Sequence, residues 1–145
     1  AKMNEIQAAM GLLQLKSVED NISSRKKISE FYRANLSKTE GISFFQDFQD
    51  VSHCYSYFPI FINEESYGKS RDLVFESLKS HNIIARKYFF PLISNFSMYR
   101  DNNSLSMSAT PVAEKASNEV LCLPLYPDLE EEIVAYICEL LNNKN

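Results

Sequence analysis

Ala1-Lys2-Met3-Asn4-Glu5-Ile6-Gln7-Ala8-Ala9-Met10-Gly11-Leu12-Leu13-Gln14-Leu15 opens the chain, and the rest is organised around it. Asn4 is a good N-cap, and Gln7 three residues on completes a capping box. Glu5 puts negative charge in the first turn, where the helix dipole favours it. From Ile6 to Leu15 the apolar side chains run nearly all the way round the axis. A helix on the surface of one domain shows a single stripe instead. The pattern therefore predicts cover on more than one side, and the small Ala8, Ala9 and Gly11 would let a neighbour come close. That cover is either this domain's own core or another domain or subunit.

Reading outward, the helix is expected to run from Asn4 to about Ser37, continuous or with one break. Val18 and Ile22 continue one face, Ser23 to Lys27 is polar, and Ile28, Phe31, Tyr32 and Leu36 restore a single stripe. About 34 helical residues would span roughly 50 Å, longer than a domain of this size needs. The basic run Arg25-Lys26-Lys27 reads as a solvated face. Gly41 ends the helix, with a short strand over Ile42, Phe44 and Phe45. Tyr55-Ser56-Tyr57-Phe58-Pro59-Ile60-Phe61-Ile62 is rich in aromatic and β-branched residues and predicts a second strand. Pro59 within it predicts an edge position or a bulge. A helix over Arg71–Ser80 follows, with Leu73, Val74, Phe75 and Leu78 inward and His81 at its end. His53 reads as a structural histidine.

Ile83 to Leu92 predicts a third strand, and it holds the chemical interest. Alternation sets Arg86, Tyr88 and Phe90 on one face and Lys87 and Phe89 on the other. Two cations among aromatic groups, running into a loop, suit an anionic ligand that carries a ring. The same residues also describe an edge strand protected by charge. Ile93 to Thr110 lacks periodicity, as functional loops often do. Pro111 starts a helix to Val120, with Thr110 as its cap. Leu121 to Pro127 is extended. Asp128 is expected to cap a last helix over Leu129–Leu141, with Ile133, Val134, Tyr136, Ile137, Leu140 and Leu141 buried. Asn142 to Asn145 frays.

The order helix, strand, strand, helix, strand predicts an α+β fold: a long N-terminal helix and further helices packed on a small, mostly antiparallel sheet. The 145 residues suit one domain with its own core, and 45% hydrophobic and 23% charged residues are globular values. A net charge of −4 gives no electrostatic case for nucleic acid. No apolar run is long enough to span a membrane, and no signal-peptide pattern opens the chain. Cys54, Cys122 and Cys138 have no metal or redox spacing, so reduced thiols and a cytoplasmic location are expected. There is no Gly-rich phosphate loop. No nucleophile–base–acid set assembles locally. From the residues alone, the reading stops at an α+β domain with a cationic-aromatic strand end, with a partner-binding module and a small-ligand regulatory domain as alternatives.

Five motifs in order resemble the DegT/DnrJ/EryC1/StrS aminotransferases, pyridoxal-phosphate sugar aminotransferases of the aspartate aminotransferase fold. They are Lys2 to Gly11, Tyr57-Phe58-Pro59-Ile60, Arg71 to Ile83 followed by Arg86 to Leu92, Pro111-Val112-Ala113-Glu114, and Leu121 to Pro127. Together they cover nearly the whole chain. The resemblance implies that residues 1–145 are the C-terminal, small domain of a fold-type I enzyme. The domain holding pyridoxal 5'-phosphate and its lysine would then lie outside this chain, leaving no catalytic residue here and a fragment inactive by itself. It implies a homodimer that moves an amino group, from an amino-acid donor such as glutamate, to a nucleotide-linked keto sugar for lipopolysaccharide or other cell-surface glycans. Lys2 stands at the family's Arg/Lys position near the cofactor phosphate. Tyr88 stands at the substrate-side Tyr, with Arg86 and Lys87 beside it as substrate-binding candidates. Lys87 replaces a frequent His, and Ile93 replaces the His of "P-L-H". These departures imply a subgroup acting on 4-keto-6-deoxyhexoses, such as the viosamine-forming enzymes. Under the resemblance, the all-round apolar start of the first helix is explained by a missing partner.

Overall fold

The computed structural model describes residues 2–100 and 110–143. Asn102, Asn103 and Ser104 of the predicted loop, and residues 144 and 145 of the predicted frayed end, lie outside these. Helix α1 spans Glu5–Leu15, and its capping box is closed. The Asn4 side chain accepts from the Gln7 amide at 2.8 Å, and Gln7 Oε1 accepts from the Asn4 amide at 3.1 Å. Helix α2 spans Val18–Leu36. The single long helix is broken between them because Ser17 leaves the helical region and its hydroxyl turns back to the Gln14 carbonyl at 3.1 Å. No residue of α1 is buried, and Ile6 is 81% exposed, so the reading of α1 as a core helix is overturned. α2 buries Ile28, Ser29, Tyr32 and Leu36, one stripe at helical spacing.

Three antiparallel strands form the sheet in the order β1-β2-β3: β1 Ile42–Phe44, β2 Phe58–Ile62 and β3 Val120–Leu123. The chain enters β1 through Gly41 at φ +83°, hard against the Tyr67 backbone. A Cβ there would lie 2.3 Å from the Tyr67 nitrogen, so only glycine fits. Strand β2 starts at Phe58, later than predicted, since Tyr55 sits at φ 49°.

Pro59 is not on an edge strand: β2 is central. It is tolerated for another reason. Opposite it, Cys122 directs its own amide and carbonyl to Arg86, away from β2. Pro59 therefore faces the β1 side, where pairing ends at Phe44 opposite Ile60. Its missing N–H therefore costs no bond between β2 and β3, and on the β1 side it falls past the last pair.

Helix α3 spans Glu64–Tyr67 and α4 Arg71–Ser80, capped by Asn63 and Ser70. Val74 and Leu78 are buried as expected, but Leu73 is 59% exposed and Arg71 takes the inward place. The predicted third strand, Ile83 to Leu92, reduces to one bridge between Arg86 and Cys122. Its alternation holds through buried Ile83 and Ala85 and exposed Ile84, then stops, because beyond Arg86 the segment leaves β3. A 3-10 turn over Ile93–Asn95 and helix α5, Ser97–Arg100, occupy the start of the segment predicted to be irregular.

Helix α6 spans Pro111–Glu119, with Thr110 at the cap position but contributing no side-chain bond. Helix α7 spans Glu131–Asn142, with Glu130 rather than Asp128 at its cap. Its buried stripe is Val134, Ile137, Cys138 and Leu141. Ile133 and Tyr136 lie on its flanks, more than two-fifths exposed. Helices α2, α4 and α7 share one core with Phe58, Ile60 and Ile62. Tyr32 stacks on Phe58 at 5.0 Å and donates its hydroxyl to the Pro124 carbonyl at 3.1 Å. Tyr67 donates to the Leu141 carbonyl at 2.8 Å, tying α3 to the end of α7. The α+β architecture predicted from element order is therefore observed: seven α-helices among the described residues, on a small antiparallel sheet.

Candidate functional site

Arg86 and Tyr88 sit where the bridge to β3 ends. The Arg86 backbone exchanges two hydrogen bonds with Cys122, at 3.0 and 2.8 Å, which fixes where its side chain begins. Arg86 Nη1 donates to the Tyr88 hydroxyl at 2.6 Å, and its guanidinium carbon lies 5.6 Å from the Tyr88 ring centre. Tyr57 meets the Tyr88 ring edge-on at 5.5 Å, and Phe89 stacks on it at 5.0 Å. The Tyr88 hydroxyl, accepting from Arg86, has its own proton left for a ligand acceptor.

Two clefts share this wall. One, of about 670 Å³, is lined by Phe75, Phe89, Phe90, Ile93 and Phe96 as well as by Arg86, Lys87 and Tyr88. The other, of about 320 Å³, is bounded by Ser56, Tyr57, Cys122 and Tyr126 on the far side of the same pair. An exposed guanidinium, an oriented phenol and flanking aromatic faces suit an anion attached to a ring.

Lys87 lines the larger cleft but not the smaller one, and its ammonium is tied. Its Nζ is 2.6 Å from Asp72 Oδ1 and 4.3 Å from the Phe75 ring centre. Phe90 lines the larger cleft with Arg86 and Tyr88 and also lies under Arg71, 4.5 Å from the guanidinium carbon. Arg71 is buried. It donates from Nε to Asp72 Oδ1 at 2.7 Å and from Nη1 to the Ser117 and Val120 carbonyls, each at 3.1 Å. The Lys87 bond first, and the Arg71 charge with it, hold the Asp72 carboxyl below the usual carboxylate range. Burial pushes the Cys122 thiol up, so it stands under the site as a neutral thiol.

Lys2 is exposed, two residues before the start of the α1 capping box, and makes no ion pair or hydrogen bond with any described residue. The structure brings Arg86 and Tyr88 together, turns Lys87 toward α4, and leaves Lys2 apart on the exposed entry to α1. His53 accepts from the Tyr55 amide at 2.9 Å, the structural role expected for it. His81 lies at the end of α4, with Nδ1 2.8 Å from the Ser77 carbonyl. No group of three or more His, Cys, Asp or Glu gathers as for a metal among the described residues. Tyr57 as a ring partner, and Arg71 and Asp72 as the anchor of Lys87, were not legible as parts of one site. The only signal was the Arg-Asp pair at the start of α4, ahead of a lysine in the next extended segment.

The sequence profile of the DegT/DnrJ/EryC1/StrS aminotransferase family matches residues 1–142. The chain is 50% identical, over 99% of its length, to a dTDP-4-amino-4,6-dideoxy-D-glucose transaminase of Escherichia coli, and it covers 38% of that protein. It is 29% identical, over 97% of its length, to a GDP-perosamine synthase of Escherichia coli O157:H7, covering 36% of it. Among solved structures, DesI in the presence of its TDP-sugar product superposes with a TM-score of 0.88 at 28% identity, over 99% of this chain and 36% of DesI. The chain thus spans little more than a third of each.

Proposed function

Because the chain belongs to the DegT/DnrJ/EryC1/StrS aminotransferase family, we propose that it is the C-terminal, small domain of a fold-type I sugar-nucleotide aminotransferase. The whole enzyme would move an amino group between glutamate and a nucleotide-linked 4-keto-6-deoxyhexose. It would act as a cytoplasmic homodimer serving lipopolysaccharide or other cell-surface glycan synthesis. The names of the relatives support the substrate class: a dTDP-linked 4-amino-4,6-dideoxyglucose in one and GDP-perosamine in another. No helix among the described residues is long and apolar enough to cross a membrane.

One geometric observation carries the role of this domain: the 2.6 Å bond from Arg86 to the Tyr88 hydroxyl, set between two clefts with aromatic walls. Arg86 offers its remaining guanidinium donors to the diphosphate, the fork geometry that phosphate oxygens accept. Tyr88 directs its hydroxyl proton toward a sugar oxygen, and Tyr57 and Phe89 hold its ring in place. Lys87 contributes by position, since Asp72 already occupies its ammonium. The residues present fit pyridoxal 5'-phosphate in one respect. The exposed Lys2 ammonium, unpaired among the described residues, is the partner a cofactor phosphate takes, and Lys2 is the residue proposed to hold it. When bound, the cofactor supplies the electron sink for amino transfer. The catalytic lysine is assigned to the part of the enzyme outside this chain.

The test is Tyr88→Phe in the full-length enzyme, assayed with dTDP-4-amino-4,6-dideoxy-D-glucose and 2-oxoglutarate. We expect kcat/KM for the sugar nucleotide to fall about tenfold, the equivalent of one hydrogen bond to a substrate, with cofactor loading unchanged. Equal loss of cofactor loading would make Tyr88 a structural residue. A reading frame with no cofactor-binding domain upstream of Ala1 would favour a stand-alone binding module.

A further inference from the structure

The segment that carries Arg86 and Tyr88 has little support from the sheet. Its share is the single bridge to Cys122. Ile83 and Ala85 are buried ahead of that bridge, but beyond it the chain has no sheet partner among the described residues and can turn about its own axis. Such a turn changes which side chains face the smaller cleft beside Tyr57, which Arg86 and Tyr88 line and Lys87 does not. Something beyond the bridge must decide which side Arg86 and Tyr88 take.

The residue between them is the one that is tied. Lys87 Nζ reaches Asp72 Oδ1 at 2.6 Å, and the same oxygen accepts from Arg71 Nε at 2.7 Å. Arg71 is anchored in turn by the carbonyls of Ser117 and Val120, where α6 runs into β3. One carboxylate oxygen therefore joins the buried frame of the domain to the middle of the weakly paired segment. Asp72 sits in the first turn of α4, where the helix dipole also favours its charge.

We infer that Asp72 is a positioning residue for the candidate substrate site: by drawing Lys87 toward α4, it presents Arg86 and Tyr88 on the opposite side, against Tyr57. Its catalytic consequence rests on the function proposed above; its structural consequence does not. Asp72 makes no hydrogen bond or ion pair with Arg86 or Tyr88, so it acts through Lys87. Arg71 is the deeper anchor, but it also holds α6 to β3. Replacing it would disturb the fold and is the less informative change.

The experiment has two arms. In the 145-residue chain, two-dimensional NMR reads the ring-to-ring contact of Tyr57 and Tyr88. The contact is expected to disappear in Asp72→Asn and to persist in Asp72→Glu, at unchanged chemical-shift dispersion elsewhere. In the full-length enzyme, Asp72→Asn is expected to raise KM for the sugar nucleotide about fivefold, while KM for the amino donor and the melting temperature hold. Asp72→Glu should restore most of the loss, and Asp72→Asn with Lys87→Met should be no worse than either alone, as for two residues acting as one unit. A Tyr57–Tyr88 contact that survives in Asp72→Asn overturns the proposal whatever the enzyme does. So does strict additivity in the double variant, or a much larger loss from Lys87→Met than from Asp72→Asn. If the wild-type enzyme turns over no sugar nucleotide, the proposed function fails and the NMR arm alone decides the role of Asp72.

Discussion

Helices α1 and α7 are similar in length, 11 and 12 residues, and both are rich in large apolar side chains. One buries nothing and the other anchors the core. Val134, Ile137, Cys138 and Leu141 recur three or four residues apart and fall on a single line facing α2. In α1, Ile6, Met10, Leu12, Leu13 and Leu15 circle the axis, and each is more than half exposed. The amount of hydrophobic surface is therefore not what decides which helix a domain packs. Only a surface gathered on one side can be covered by one neighbour. A surface spread around the helix needs several neighbours, and the described residues bury none of it. The difference separates the residues that fold the domain from those available to join it to something else.

Three variants, two single and one double, would break or sharpen this contrast, in falling order of expected effect. Ile137→Ala empties a fully buried position and should cost about 2–5 kcal/mol in denaturant unfolding. A loss below ~1 kcal/mol would show that α7 is not part of the cooperative core. Tyr67→Phe removes the hydroxyl that holds the Leu141 carbonyl in the last turn of α7, and about 1 kcal/mol should go with it. If stability is unchanged, that bond is not what seats the end of α7. The paired change Leu12→Gln and Leu15→Gln in α1 should alter stability by no more than ~0.5 kcal/mol. It should, however, weaken concentration-dependent self-association measured by sedimentation, because the exposed apolar surface is what would drive it. An unfolding midpoint that drops as it does for Ile137→Ala would mean α1 is packed after all.

The elements were mostly legible because their signals are local. Asn4 with Gln7 and Ser70 before α4 mark helix starts through bonds within three residues, and Pro111 marks the start of α6 through its fixed φ. Burial was legible where it follows period alone, as at Tyr32, Leu36, Val74 and Leu78. Reading failed where a distant group decided the outcome. Ile83 to Leu92 has strand composition, but a strand needs a partner along its length, and β3 offers it one residue. Leu73 looks like core, yet Arg71 takes the inward place because the Ser117 and Val120 carbonyls need its donors. At the site, Arg86 and Tyr88 stood out as a cation beside an aromatic. That Lys87 would be drawn away by Asp72, 15 positions earlier, follows only from how α4 packs.

Pro59 leaves one more consequence. In a regular ladder the rung after Phe44–Ile60 would join residues 45 and 59, with the amide of residue 59 donating to the Phe45 carbonyl. Proline has no amide hydrogen, and in this protein Arg33 Nε donates to that carbonyl instead, at 3.3 Å, while its other nitrogens grip Asp47. A guanidinium from α2 thus serves as a surrogate backbone donor, and the last rung of the sheet belongs to the helix layer. Pairing of β1 with β2 is capped at a set length, and the chain beyond Phe45 is handed from the sheet to the helix.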